Sequence, residues 1–197
     1  MKEMLISSVM CFVFLLMTQY VEAGSIKGKV TISGLISPTV VYLKDVPGVF
    51  PSPEEHAVMD QKELTFVPHV LPILKGSTVD FPNSDTVRHN VFSIPNDVKE
   101  FDLGTYPVGT VKEVNFPKSG EVPLLCNVHT EMSAYVFVLD NPYYTLTDEE
   151  GSYVIENIPA GKYTVATYNE RYRSVEESVK VDEASEVTVN LKLKRRK

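Results

Sequence analysis

The chain has 197 residues, carries 26 acidic against 19 basic side chains for a net charge of −7, and contains two cysteines and no tryptophan. That acidity argues against a nucleic-acid binder, whose surface must neutralise phosphates, and suits a basic protein partner. The length is enough for one large or two small domains with real cores.

Lys2 precedes an uncharged stretch, Met4 to Val21, whose apolar centre runs from Leu5 to Met17, and Val21-Glu22-Ala23 follows as a small-residue cleavage site. The pattern predicts a secretory signal over residues 1–23 and a periplasmic mature protein. Ser7, Ser8, Thr18 and Gln19 dilute the run, so the mature chain is expected to have no stable membrane span. Cys11 lies inside the apolar run and leaves with the signal. Export ordinarily brings paired cysteines, yet only Cys126 remains, which excludes an intrachain disulfide. Met59 and Met132 are the methionines left beyond the signal, and Met132 lies close to the lone cysteine.

Downstream, apolar and polar residues alternate in short runs broken by Gly, Pro, Asn and Asp, which predicts an all-β protein. Strands are expected at 26–32, 39–44, 70–74, 78–82, 90–94, 110–116, 121–126 and 134–139, and then at 152–156, 161–168, 174–181 and 186–194. In the last of these Val187, Val189, Leu191 and Leu193 share one face. Such a set of short strands suits two small sandwiches. A proline-rich connector, residues 46–55, and the turn Asp140-Asn-Pro142 mark the boundaries. The Lys192–Lys197 tail reads as a strand ending in solvated cations.

The chemistry is concentrated in Cys126-Asn-Val-His129-Thr-Glu-Met132, which puts a thiolate, an imidazole and a thioether at a strand end and in a short loop. Two His and one Cys in a plane with a weak axial Met make a mononuclear copper site. His89, after the Asn83-Ser-Asp85 turn, is the candidate for the second imidazole. Zinc would want a further cysteine, histidine or carboxylate in place of the thioether. A cysteine nucleophile with His89 or His129 as base leaves Met132 unexplained. His69, beside Pro68, is a weaker metal candidate that reads as a solvated edge residue, and His56 with Met59 is weaker still.

Thr65-Phe-Val-Pro-His-Val70, Lys75-Gly-Ser-Thr-Val79, Phe81-Pro-Asn83 and His89-Asn90, followed by Cys-x-x-His-x-x-Met, occur in the order found in cupredoxins, the family of plastocyanin, azurin and amicyanin, and residues 51–140 resemble that family. The close spacing of Cys126, His129 and Met132 is most similar to amicyanin, although Thr130 stands where such loops often carry proline. The resemblance implies a Greek-key barrel or sandwich holding one type 1 copper ion. Its ligands would be His89 and His129 through Nδ1, Cys126 through sulfur and Met132 axially, with Asn90 bracing the cysteine loop. A multicopper oxidase would surround its cysteine with histidines, whereas Leu125 and Asn127 flank Cys126, and a binuclear copper site would need a second cysteine.

Thr147-Asp-Glu-Glu-Gly-Ser-Tyr153 and Asn157-Ile-Pro-Ala-Gly-Lys-Tyr163-Thr-Val165 resemble the carboxypeptidase-regulatory, transthyretin-like β-sandwich. That sandwich's opening strands match Ile26-Lys-Gly-Lys-Val30 and Val40-Val-Tyr-Leu43, far upstream. Two arrangements remain open: a copper domain inserted between residues 24–50 and 141–197 of the sandwich, or residues 24–50 as extra strands of the cupredoxin. The function implied is a non-enzymatic one-electron carrier with a protein redox partner, a basic cytochrome or a dehydrogenase. Its rivals are a copper-binding or sensing scaffold of the cell envelope and an adhesion module with a vestigial site.

Overall fold

The computed structural model describes residues 23–32 and 38–196; the expected signal, residues 1–23, falls outside the described residues up to residue 22. In chain order the strands are β1 Gly24–Ile32, β2 Val40–Lys44, β3 Ala57–Val58, β4 Asp60–Lys62, β5 Thr65–Val67, β6 Val70–Leu74, β7 Thr78–Pro82, β8 His89–Ser93 and β9 Asp102–Tyr106. They continue as β10 Val111–Asn115, β11 Gly120–Leu125, β12 Ser133–Leu139, β13 Tyr144–Leu146, β14 Ser152–Ile158, β15 Gly161–Tyr168, β16 Glu176–Val181, β17 Glu186–Thr188 and β18 Leu191–Leu193. Among the described residues no helix is long and apolar enough to cross a membrane.

The strands between Ala57 and Leu139 make two facing sheets, β10-β7-β3 and β6-β12-β11-β8-β9, with the small hairpin β4-β5 beside them. Alternation turns Val79, Phe81 and Val114 of one sheet toward Ile73, Val91, Val122, Leu124 and Val136 of the other, and these side chains form one buried core. The sheets stay open, so the barrel-or-sandwich expectation resolves to a sandwich. β6 runs parallel to β12, from Tyr135 opposite Val70 to Leu139 opposite Leu74.

The remaining strands form a second sandwich, one sheet ordered β14-β1-β17 with β18 also on β1, the other β13-β2-β15-β16. β1 lies antiparallel to β14 and parallel to β17 and β18, while β2 lies between β13 and β15. Ile26, Val30, Val41, Leu43, Ile155, Val165 and Leu191 fill the space between the sheets. Where the chain leaves and re-enters this sandwich, Leu43 N–H bonds to Tyr143 O at 3.0 Å and Asn141 Nδ2 donates to Leu43 O at 2.8 Å across a separation of 98 residues.

The single strand expected over 186–194 is two. Val189 N–H still bonds to Lys27 O, but Lys29 N–H is taken by the Asn190 side chain, which interrupts the ladder before β18 resumes. The backbone of Val189 comes so near β1 that a Cβ on Gly28 would lie 1.8 Å from the Val189 carbonyl oxygen. Gly28 is therefore glycine because another backbone occupies its side-chain space. Gly28→Ala is expected to destabilise the second sandwich by about 1–3 kcal/mol. Urea unfolding would read this as a lower midpoint, and an unchanged midpoint would mean that the β17–β18 link yields without cost.

The two sandwiches meet along β12. Its inward residues Ala134, Val136 and Val138 belong to the first core, while Tyr135, Phe137 and Leu139 face Val40, Tyr42, Tyr144 and Tyr168 of the second. Phe137 stacks on Tyr168 at 4.1 Å and 5°, and Tyr42 meets Phe137 edge-on at 5.4 Å. Such pairs contribute ~0.5–1.5 kcal/mol each beyond their burial. The basic tail is partly tied down, since Arg196 Nε donates to Tyr172 O.

Candidate metal centre

β11 ends at Leu125, and Cys126 follows it into the core with 3 % of its surface exposed. The next six residues turn back so tightly that Met132 N–H bonds to His129 O at 3.0 Å, and Met132 is itself buried in the same core as Cys126. β8 lies antiparallel to β11, with Leu125 opposite Phe92, which carries His89 at the strand's start to the end of the sheet where Cys126 emerges. His89 is fully buried, and its Nδ1 is 3.0 Å from His129 Nδ1. The ligand atoms of His89, Cys126 and His129 all lie within 4.8 Å of one another. His129 is half-buried, and Asn127, Val128, Thr130 and Glu131 around it are exposed.

Asn90 reaches across to this loop: its Oδ1 accepts the Asn127 N–H at 3.1 Å, and its Nδ2 donates to Asp102 Oδ1 at 2.7 Å. The loop after Cys126 is thereby tied to β8 and β9.

Sequence reasoning missed Asp85. Its Oδ2 is 2.8 Å from His89 Nε2 and also accepts the Leu64 N–H at 2.8 Å, while Oδ1 accepts the Thr86 N–H at 2.7 Å. Those two backbone N–H groups, and then His89, hold the carboxyl well below the usual carboxylate range. A carboxylate can only accept, so His89 Nε2 is the donor in this pair and Nδ1 is the ring nitrogen turned toward His129. Asn83 shapes the same turn, accepting Asp85 N–H through Oδ1 and donating from Nδ2 to Val87 O and Tyr106 O. Asp85 stands four residues before His89; that spacing was the available signal, but it acquires meaning only once the turn is folded. Beside these groups burial pushes the Tyr106 phenol up to about 12, and its hydroxyl donates to Phe81 O at 3.0 Å.

The other histidines stand apart. His69, expected as a solvated edge residue, is instead part-buried where the sandwiches meet, with Nδ1 3.0 Å from Ser133 O and Nε2 3.1 Å from Glu170 Oε2. His56 lies against Asp80, Nδ1 to Oδ1 2.8 Å, with Glu113 Oε2 4.0 Å away.

Residues 132–194 match the carboxypeptidase regulatory-like domain family. The match begins at Met132 and so includes β12, which this fold builds into the sheet with β6, β11, β8 and β9. Among solved structures the chain is similar to a purple cupredoxin from Nitrosopumilus maritimus, 26 % identical, covering 42 % of this chain and 99 % of that one with a TM-score of 0.39. It is also similar to a copper-containing nitrite reductase from Thermus scotoductus, 21 % identical over 57 % of this chain and 28 % of that one, TM-score 0.43. A third is the reduced Cu(I) form of an amicyanin mutant, 18 % identical over 50 % and 98 %, TM-score 0.41. No curated protein sequence matches the chain.

Proposed function

We propose that this chain is an exported type 1 copper protein that carries single electrons between protein partners in the periplasm. The observation behind this is the convergence of one cysteine and two imidazoles within 4.8 Å, in the core that also holds Met132. The donor set fits copper, because soft sulfur with imidazole suits it and a thioether is a poor zinc ligand. When bound, the metal supplies one-electron exchange between Cu(II) and Cu(I). The chain's part is to keep His89, Cys126, His129 and Met132 in one place for both charge states, which the Asn90 and Asp85 hydrogen bonds favour.

In this proposal the copper-bearing domain, residues 51–140, is inserted into a sandwich made of 24–50 and 141–197. The pairing of β1 and β2 with β13 to β18 supports that arrangement over one in which residues 24–50 extend the cupredoxin.

Carrier is favoured over scaffold by the ground around His129. Its ring is part-exposed, and Leu64, Val87, Val108 and Val128 are exposed apolar side chains on loops at that end. A partner can thus approach within tunnelling range, and the net acidity of the chain steers a basic one. Reduction of the copper-loaded protein by a basic cytochrome is expected to slow about tenfold or more with added salt. Glu131→Lys should slow it too, with copper still bound. Sluggish exchange with every partner tried, at any ionic strength, would favour the scaffold instead.

A further inference from the structure

We propose that Asp85 is a positioning residue that sets the electronic character of the centre, a fixed buried anion that turns His89 Nδ1 toward the metal and keeps the reduction potential low. This rests on the copper reading above and deepens it.

Four donors reach the carboxylate: His89 Nε2, Leu64 N–H, Thr86 N–H and, at 3.4 Å, the Thr86 hydroxyl. Among the described residues no lysine or arginine pairs with it, and Asp85 is 8 % and His89 0 % exposed. Its negative charge is therefore met on the His89 side by the imidazole alone. A neutral acceptor, such as a backbone carbonyl, would fix the same tautomer. A carboxylate adds charge, makes the imidazole a stronger donor and favours the more highly charged oxidised metal over the reduced one.

The fold maintains this anion at a local cost. Glu63 and Leu64, between β4 and β5, have φ of 53° and 58°, a left-handed pair that non-glycine residues rarely adopt. That turn aims the Leu64 N–H at Asp85, and the hydrogen bond helps keep the buried carboxylate charged. The β4-β5 hairpin thus belongs to the metal centre although it supplies no ligand.

Three measurements test this. Nitrogen NMR of the metal-free wild-type protein is expected to show His89 protonated on Nε2, and this needs no variant to fold. Asp85→Asn keeps the shape and an acceptor oxygen but removes the charge. It should retain the thiolate colour, shift the reduction potential upward and weaken Cu(II) binding by about 10- to 100-fold, with a smaller loss for Cu(I). The double substitution Glu63→Asn, Leu64→Gly keeps the backbone N–H in a turn suited to it, and should leave the potential where it was. A metal-free His89 protonated on Nδ1, or an Asp85→Asn potential equal to wild type, would overturn the proposal. A wild-type protein that binds copper without the thiolate colour would overturn the copper reading itself, whereas a coloured protein with an unmoved Asp85→Asn potential would overturn only the role of Asp85.

Discussion

Cys126→Ser is expected to abolish the intense visible absorption of the oxidised, copper-loaded protein completely. That absorption would arise from charge transfer between sulfur and copper, and Cys126 is the only cysteine among the described residues. Serine is close to isosteric, so the fold should survive at a cost of about 1–3 kcal/mol for burying a hydroxyl where Cys126 is 3 % exposed. Met132→Leu makes the informative contrast. It removes a weak donor while keeping the volume, so colour and copper should stay and the reduction potential should rise. Persistence of the absorption in Cys126→Ser would exclude the sulfur as a ligand, and an unchanged potential in Met132→Leu would make Met132 a core residue only.

Residues 141–197 expressed alone are expected to remain unfolded, whereas residues 51–140 alone should fold and take up copper with colour. β1 is the strand on which β14, β17 and β18 all pair, and β2 is the strand between β13 and β15. Without them only the β15-β16 hairpin keeps its partner. The core also loses Ile26, Val30, Val41 and Leu43. Burying an aliphatic side chain of this size contributes about 1.5–3 kcal/mol. Four of them approach or exceed the ~5–15 kcal/mol net stability of a whole domain. Circular dichroism and amide exchange would report the outcome, and a cooperatively folded 141–197 fragment would refute the split sandwich.

Where the sequence was legible, it was legible through alternation and short apolar runs. β7 lies at the expected residues because Val79 and Phe81 alternate with Thr78 and Asp80, while β6 and β15 do so because they are short runs of apolar, β-branched and aromatic side chains bounded by turns. β9 escaped notice: Asp102-Leu-Gly-Thr-Tyr106 is a mostly exposed edge strand with Gly104 at φ 63°, so burial imposes little pattern on it. β4 and β5 are three residues each, joined by a turn without glycine, and carry no signal of that length. Over 186–194 the alternation was real, but Asn190 replaces a backbone acceptor with its side chain, a choice visible only with β1 alongside.

The site divides the same way. Cys126, His129 and Met132 sit in one short segment, so their residue types alone suggested a metal. His89 depends on β8 meeting β11 across the sheet, and pattern resemblance supplied it. Asp85 depends on which way the His89 ring faces, a fact of three-dimensional packing that spacing does not encode.

The junction at Leu43, Asn141 and Tyr143 has a consequence for the order in which the molecule assembles. To bring β2 beside β13 from the unfolded chain is to close a loop of 98 residues, an entropic cost of about 4 kcal/mol by (3/2)RT ln n. Once the sandwich of β3 to β12 has formed, its own ends already lie close together, and most of that cost has been met by its core. The inner sandwich should therefore fold first and act as a clamp for the outer one. Dependence runs in one direction: melting the outer sandwich leaves the inner one's sheets paired, whereas melting the inner one restores the long open loop and draws the outer sandwich apart with it.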